Sequence, residues 1–141
     1  MTNTRQKINI VKELLDNGFD KDERREIFDN MQNSNEDFAV SDHRFIHRDE
    51  IDRVMTAELS SDTYMLGSFN AWFIAGITGL DINIIAKAQK NESYERLGEL
   101  MLKNIGDVVE KYISAEGYGH HFAPYDGYEH EIGDYYMFRV N

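Results

Sequence analysis

The sequence predicts an α+β fold, a predominantly helical single domain over residues 1–141 with a small C-terminal antiparallel β-hairpin or three-stranded sheet. Three observations predict it. Between residues 4 and 115 apolar side chains recur at helical spacing in successive segments, with a loop at 32–42 between them. From Gly117 the composition changes: "GYGHHFAPYDGYEHEIGDYYMFRV" holds three of the five histidines, five of the eight tyrosines and the only proline. Apolar residues make up 41% and aromatics 12% of 141 residues, enough for a core of its own. The expected organisation is an N-terminal helical hairpin at 1–37, a helical core at 48–115 and a β unit at 117–141.

Ile8, Val11, Leu14 and Leu15 mark one face of a first helix over residues 4–17, which Gly18 can end in a left-handed conformation. Asp20 followed by Glu23 is a capping-box signature for a second helix, Lys21 to Met31, with Ile27, Phe28 and Met31 as its apolar positions. "QNSNEDFAVSD" reads as a loop with a short extended piece at Phe38 to Val40. "HRFIHRDEIDRVMTAEL" reads as helical, starting at His47 or Arg48, with Ile51, Val54, Met55 and Leu59 at helical spacing. "SSDTYMLGSFNAWFIAGITGL" is apolar on nearly all sides, which predicts one central helix capped by Asp62 and Gly79, with Phe69 and Trp72 buried. Asp81 opens a further helix, and two more are expected at Ser93 to Lys103 and Gly106 to Ala115. Asp126-Gly127 and Gly133-Asp134 are turn signals, and "YYMFRV" has the composition of a strand.

The absence of cysteine excludes disulfides, thiolate metal sites and a thiol nucleophile. The first residues lack the apolar core of a signal peptide, and no apolar run is long enough to span a bilayer. A soluble protein of the cytoplasm is expected. Fifteen basic and 26 acidic side chains leave a formal charge of −11, spread over both halves of the chain. Such a field repels nucleic acid and anionic membranes and favours basic surfaces, although it also serves plain solubility.

There is no nucleophile elbow, no phosphate-binding glycine loop and no dinucleotide fingerprint. No cofactor and no metal are expected. The residues that would compose a metal site are His121, Asp126 and His130, together with the neighbouring His120, Glu129 and Glu131, but their spacing matches no ligand template. His43 and His47 would share a face if helical and could bind a metal with Asp42 or Glu50. The adopted reading is one surface histidine and one at a helix start. Direct nucleic-acid binding is disfavoured because acids flank the few basic clusters. The remaining possibility is an interaction surface built from Tyr118, Tyr125, Asp126, Tyr128, Glu129, Glu131 and Asp134. Tyrosines are rigid amphipathic anchors, and the acids around them suit a basic groove of a kind that holds DNA or RNA.

"DHRFIHRDEID" and "EGYGHHFAPYDGYEHEIGDYYMFRVN" together resemble a group of small acidic accessory proteins of phages and related mobile elements, over Asp42 to the C-terminus. The resemblance carries no catalytic motif. It implies a setting, the cytoplasm of a host cell, in which such proteins block host nucleases or other defence machinery, some by mimicking nucleic acid. The expected function is a non-enzymatic inhibitor of anti-CRISPR or anti-restriction type. Its partner is a host protein with a basic or nucleic-acid-binding surface, and a homodimer is compatible. The alternatives are a small metal-dependent enzyme using the C-terminal His/Asp/Glu cluster, and a structural or regulatory phage protein.

Overall fold

The computed structural model describes residues 4–141. The described residues form nine helices and one sheet: α1 (Thr4–Asp16), α2 (Lys21–Asn33), β1 (Phe38–Val40), β2 (His43–His47), α3 (Ile51–Ser60), α4 (Thr63–Gly67), α5 (Ala71–Thr78), α6 (Ile82–Lys90), α7 (Tyr94–Leu102), α8 (Ile105–Glu116), α9 (Gly119–Phe122), β3 (His130–Ile132) and β4 (Tyr135–Arg139). The fold class is α+β, as the sequence predicts. Among the described residues no helix is long and apolar enough to cross a membrane. They group into two compact units, one made of residues up to 51 together with 116–141, the other of 52–115.

The first unit is built on a four-stranded antiparallel sheet in the order β1-β2-β4-β3. The expected C-terminal hairpin is present as β3–β4, turning at Gly133 and Asp134 with Ile132 opposite Tyr135. Of the other two strands, β1 is the short extended piece expected at Phe38 to Val40, whereas β2 comes from residues read as a helix start. His43–His47 is a strand because a two-residue turn, Ser41-Asp42, folds it back on β1 and because β4 supplies its other edge. Ser41 takes a left-handed φ of 55°, the backbone such hairpins need, without the Asn-Gly or Asp-Gly pair that advertises it.

Helices α1 and α2 cover one face of this sheet. The capping box of α2 is formed as expected: Glu23 N–H donates to Asp20 Oδ1 at 2.8 Å, and Asp20 N–H to Glu23 Oε1 at 2.9 Å. Ile10, Leu14, Phe19 and Ile27 pack with Val40, Phe45, Ile132 and Met137 to form the core. Phe38 stacks on Phe45 at 4.9 Å, and the buried Tyr135 hydroxyl donates to Ser34 O at 2.8 Å. On the other face Phe122 of α9 lies 5.1 Å from Phe138.

The second unit is wholly helical. Its tightest contact is a reciprocal glycine crossing of α4 and α7. A Cβ at Gly67 would fall inside the Tyr94 carbonyl, and one at Gly98 inside the Thr63 carbonyl. The single helix expected over residues 62–79 is two helices, interrupted at Ser68–Asn70. Four hydrogen bonds make the break: Ser68 Oγ donates to Met65 O, Asn70 Oδ1 caps Trp72 N–H, and Gln89 Nε2 of α6 donates to both Gly67 O and Phe69 O. The break overturns the expected burial of Trp72, which is 73% exposed. Ile74 is the buried residue of α5, and Phe69 is half-buried, stacked 5.6 Å from Tyr112. An apolar composition on all sides had read as a central helix, whereas the chain leaves one such side to solvent.

Two stability measurements follow by urea denaturation. Gly98→Ala is expected to cost about 1–3 kcal/mol or more, since backbone rather than a flexible side chain meets the new methyl. Trp72→Ala is expected to change the unfolding free energy by less than about 0.5 kcal/mol, as at other exposed positions.

Candidate interaction surface

Residues 124–131, "PYDGYEHE", are exposed without interruption. They carry three carboxylates, no Lys or Arg, and two tyrosines that are 58% (Tyr125) and 67% (Tyr128) exposed. The stretch is nevertheless held in place. Gly127 N–H donates to Ala123 O at 2.7 Å, and Tyr128 N–H donates to Asp126 Oδ1 at 3.0 Å, an Asx turn. Gly127 has φ +74°, and its carbonyl lies so close to Gly119 that a Cβ there would collide with it. The Arg139 guanidinium stacks 3.9 Å from the Tyr125 ring and donates through Nε to Asn141 O. One face of Tyr125 is therefore covered, while Tyr128 offers the larger free ring.

The structure distributes the remaining candidates. Glu129 is exposed with its carboxylate against Gly117, and Glu131 is exposed on β3 opposite Tyr136. Tyr118 is half-buried, its ring 5.3 Å from that of Tyr136. Asp134 lies apart from the stretch, at the β3–β4 turn, where its carbonyl accepts from Arg48 N–H and its carboxylate lies 4.0 Å from Arg48 Nε. Of the three metal candidates, Asp126 and His130 line one cleft, whereas the His121 ring packs edge-on against Phe122 at 4.7 Å. The segment around His120 and His121, expected to be part of the β unit, is the short helix α9. Among the described residues no three His, Asp or Glu side chains are grouped to hold a metal ion.

The cleft beside the stretch has a volume of about 340 Å³ and brings to it residues that the sequence did not group with it, chiefly His43, Glu23 and Arg139. His43 and Arg139 meet because β2 pairs with β4 in that register, a long-range fact with no local signal. His43 and His47 alternate with Phe45 on the helix-covered face of the sheet. Four strand steps, roughly 13 Å, separate them, so they serve different cavities rather than one metal. The His43 ring meets Phe19 edge-on at 4.8 Å, and its buried Nδ1 has no hydrogen-bond partner among the described residues. Burial foremost, then Arg139 and His130, push the His43 pKa down, against the opposite pull of Asp42 and Asp126.

A scan against protein-family models finds no match, and searches of the curated proteins and of the solved structures find none either.

The His43 shift has a definite sign. Its folded-state pKa lies below the unfolded value of 6.5, so the unfolded chain binds the proton first. The contribution is intact above pH 6.5 and is lost as pH falls from there through the folded pKa. Wild type is expected to lose more stability than His43→Gln between neutral and mildly acidic pH, as denaturation midpoints at each pH will measure.

Proposed function

We propose that the protein is a non-enzymatic accessory protein of a phage or mobile element. It binds and inhibits a host protein that handles nucleic acid, and its acidic surface stands in for the nucleic acid. The observation that carries the reading is the 124–131 stretch: two exposed tyrosines interleaved with three carboxylates, on a backbone already fixed by Gly127, Asp126 and Arg139. A preordered segment loses little conformational entropy on docking, and rigid aromatics supply the hot spots of most interfaces. The −11 charge adds steering toward a basic groove. The resemblance of Asp42 onward to small acidic phage proteins supplies the setting of host defence.

The test is capture of host proteins on the immobilised chain at low and high salt, with and without competing duplex DNA or RNA. A nucleic-acid-handling partner is expected, released by salt and by the competitor. Glu129→Lys with Glu131→Lys is expected to slow association, and Tyr128→Ala to speed dissociation about tenfold, equivalent to ~1.4 kcal/mol. A partner held equally well at high salt, by the charge-reversed chain, and while still carrying its nucleic acid defeats this reading.

A further inference from the structure

We propose that the cavity between α1, the end of α2 and the β3–β4 turn is a binding site for a small organic carboxylate with a compact apolar body. The cavity measures about 650 Å³, within the range of small-molecule sites. It lies apart from residues 124–131, and none of them lines it.

His47 is the observation that points to a ligand. It is the buried polar residue of the described core, and only 10% of its side chain is exposed. Its Nδ1 accepts from Asp49 N–H at 3.1 Å, so in the neutral ring the proton is on Nε2. The Tyr135 ring, edge-on at 5.0 Å, fixes the plane of the imidazole. Nε2 has no acceptor among the described residues, and His47 lines the cavity. That N–H is left to donate into the cavity, to water or to a bound acceptor.

The rest of the lining gives the ligand its chemistry. Lys7 faces the cavity and makes no ion pair among the described residues, in a protein where carboxylates outnumber cations. An ammonium and an imidazole N–H on one cavity match a carboxylate. Ile10, Met31 and the Tyr135 ring form apolar wall for the body of the ligand. Burial and Asp134 hold the Tyr135 pKa above its ordinary value, and its hydroxyl donates to Ser34 O, so the ring presents carbon rather than charge. Asp134, at the rim, favours a carboxylate that also carries an ammonium, as an amino acid does.

The test is an amide-resonance NMR titration of the intact chain. The probes are a panel of L-amino acids, the plain carboxylates of matching side chain, and inorganic phosphate. At least one carboxylate is expected to give saturable shifts at residues 6–10, 31–35, 47 and 133–135. Lys7→Gln, at an exposed position that leaves the fold intact, is expected to weaken that binding tenfold or more while leaving partner capture by residues 124–131 unchanged. His47→Gln is expected to abolish it, with circular dichroism as the check on folding. The proposal fails if no carboxylate saturates, if phosphate gives the same shifts, or if Lys7→Gln binds as wild type does.

Discussion

The pairing of β2 with β4 is the constraint on which the first unit depends. It joins His43–His47 to Tyr135–Arg139, segments far apart in the chain, in one register from His43↔Arg139 to His47↔Tyr135. Closing so long a loop costs chain entropy, which grows only slowly with length, and the return is burial of Phe45, Ile46, Met137 and Phe138. A slip by one residue would turn Phe45 and Met137 off the helix-covered face and destroy the core. The same register sets the two histidines at either end of that face, one at each cavity. Architecture and candidate chemistry thus follow from a single ladder of hydrogen bonds.

What was legible in the sequence was local. The capping box at Asp20 and Glu23, the turn at Gly133-Asp134 and the caps at Asp62, Gly79 and Asp81 all depend on neighbours within a few residues, and all are present. The failures share the opposite property. His43–His47 is a strand only because distant β4 lies beside it, and α5 turns Trp72 outward because Gln89 from α6 takes the carbonyls at the break. For the surface, Tyr125, Asp126, Tyr128, Glu129 and Glu131 could be grouped from composition, since they are contiguous. The companions that complete the surrounding cleft, His43, Glu23 and Arg139, are scattered along the chain and became neighbours only in three dimensions.

The two units reach close packing by different means. The sheet unit interdigitates large side chains, with Phe19, Phe38, Phe45 and Tyr135 in ring contact. The helical unit instead lets backbone touch backbone at Gly67 and Gly98, where any side chain would hold α4 and α7 apart. The first arrangement can yield to a substitution by changing rotamers. The second has no soft atoms to move, and its tolerance is correspondingly narrow.

The strand order also decides how the sheet meets other chains. The unpaired edges are β1 and β3, each only three residues long. An incoming strand would find too few free backbone groups to form a lasting ladder, and on β3 it would run alongside the carboxylate of Glu131. Short, charged edges are how soluble sheets avoid templating one another. The long strands, which could seed fibrillar growth, are both interior. The sheet therefore offers little edge for self-propagation, although the exposed tyrosines of residues 124–131 lie on the same unit.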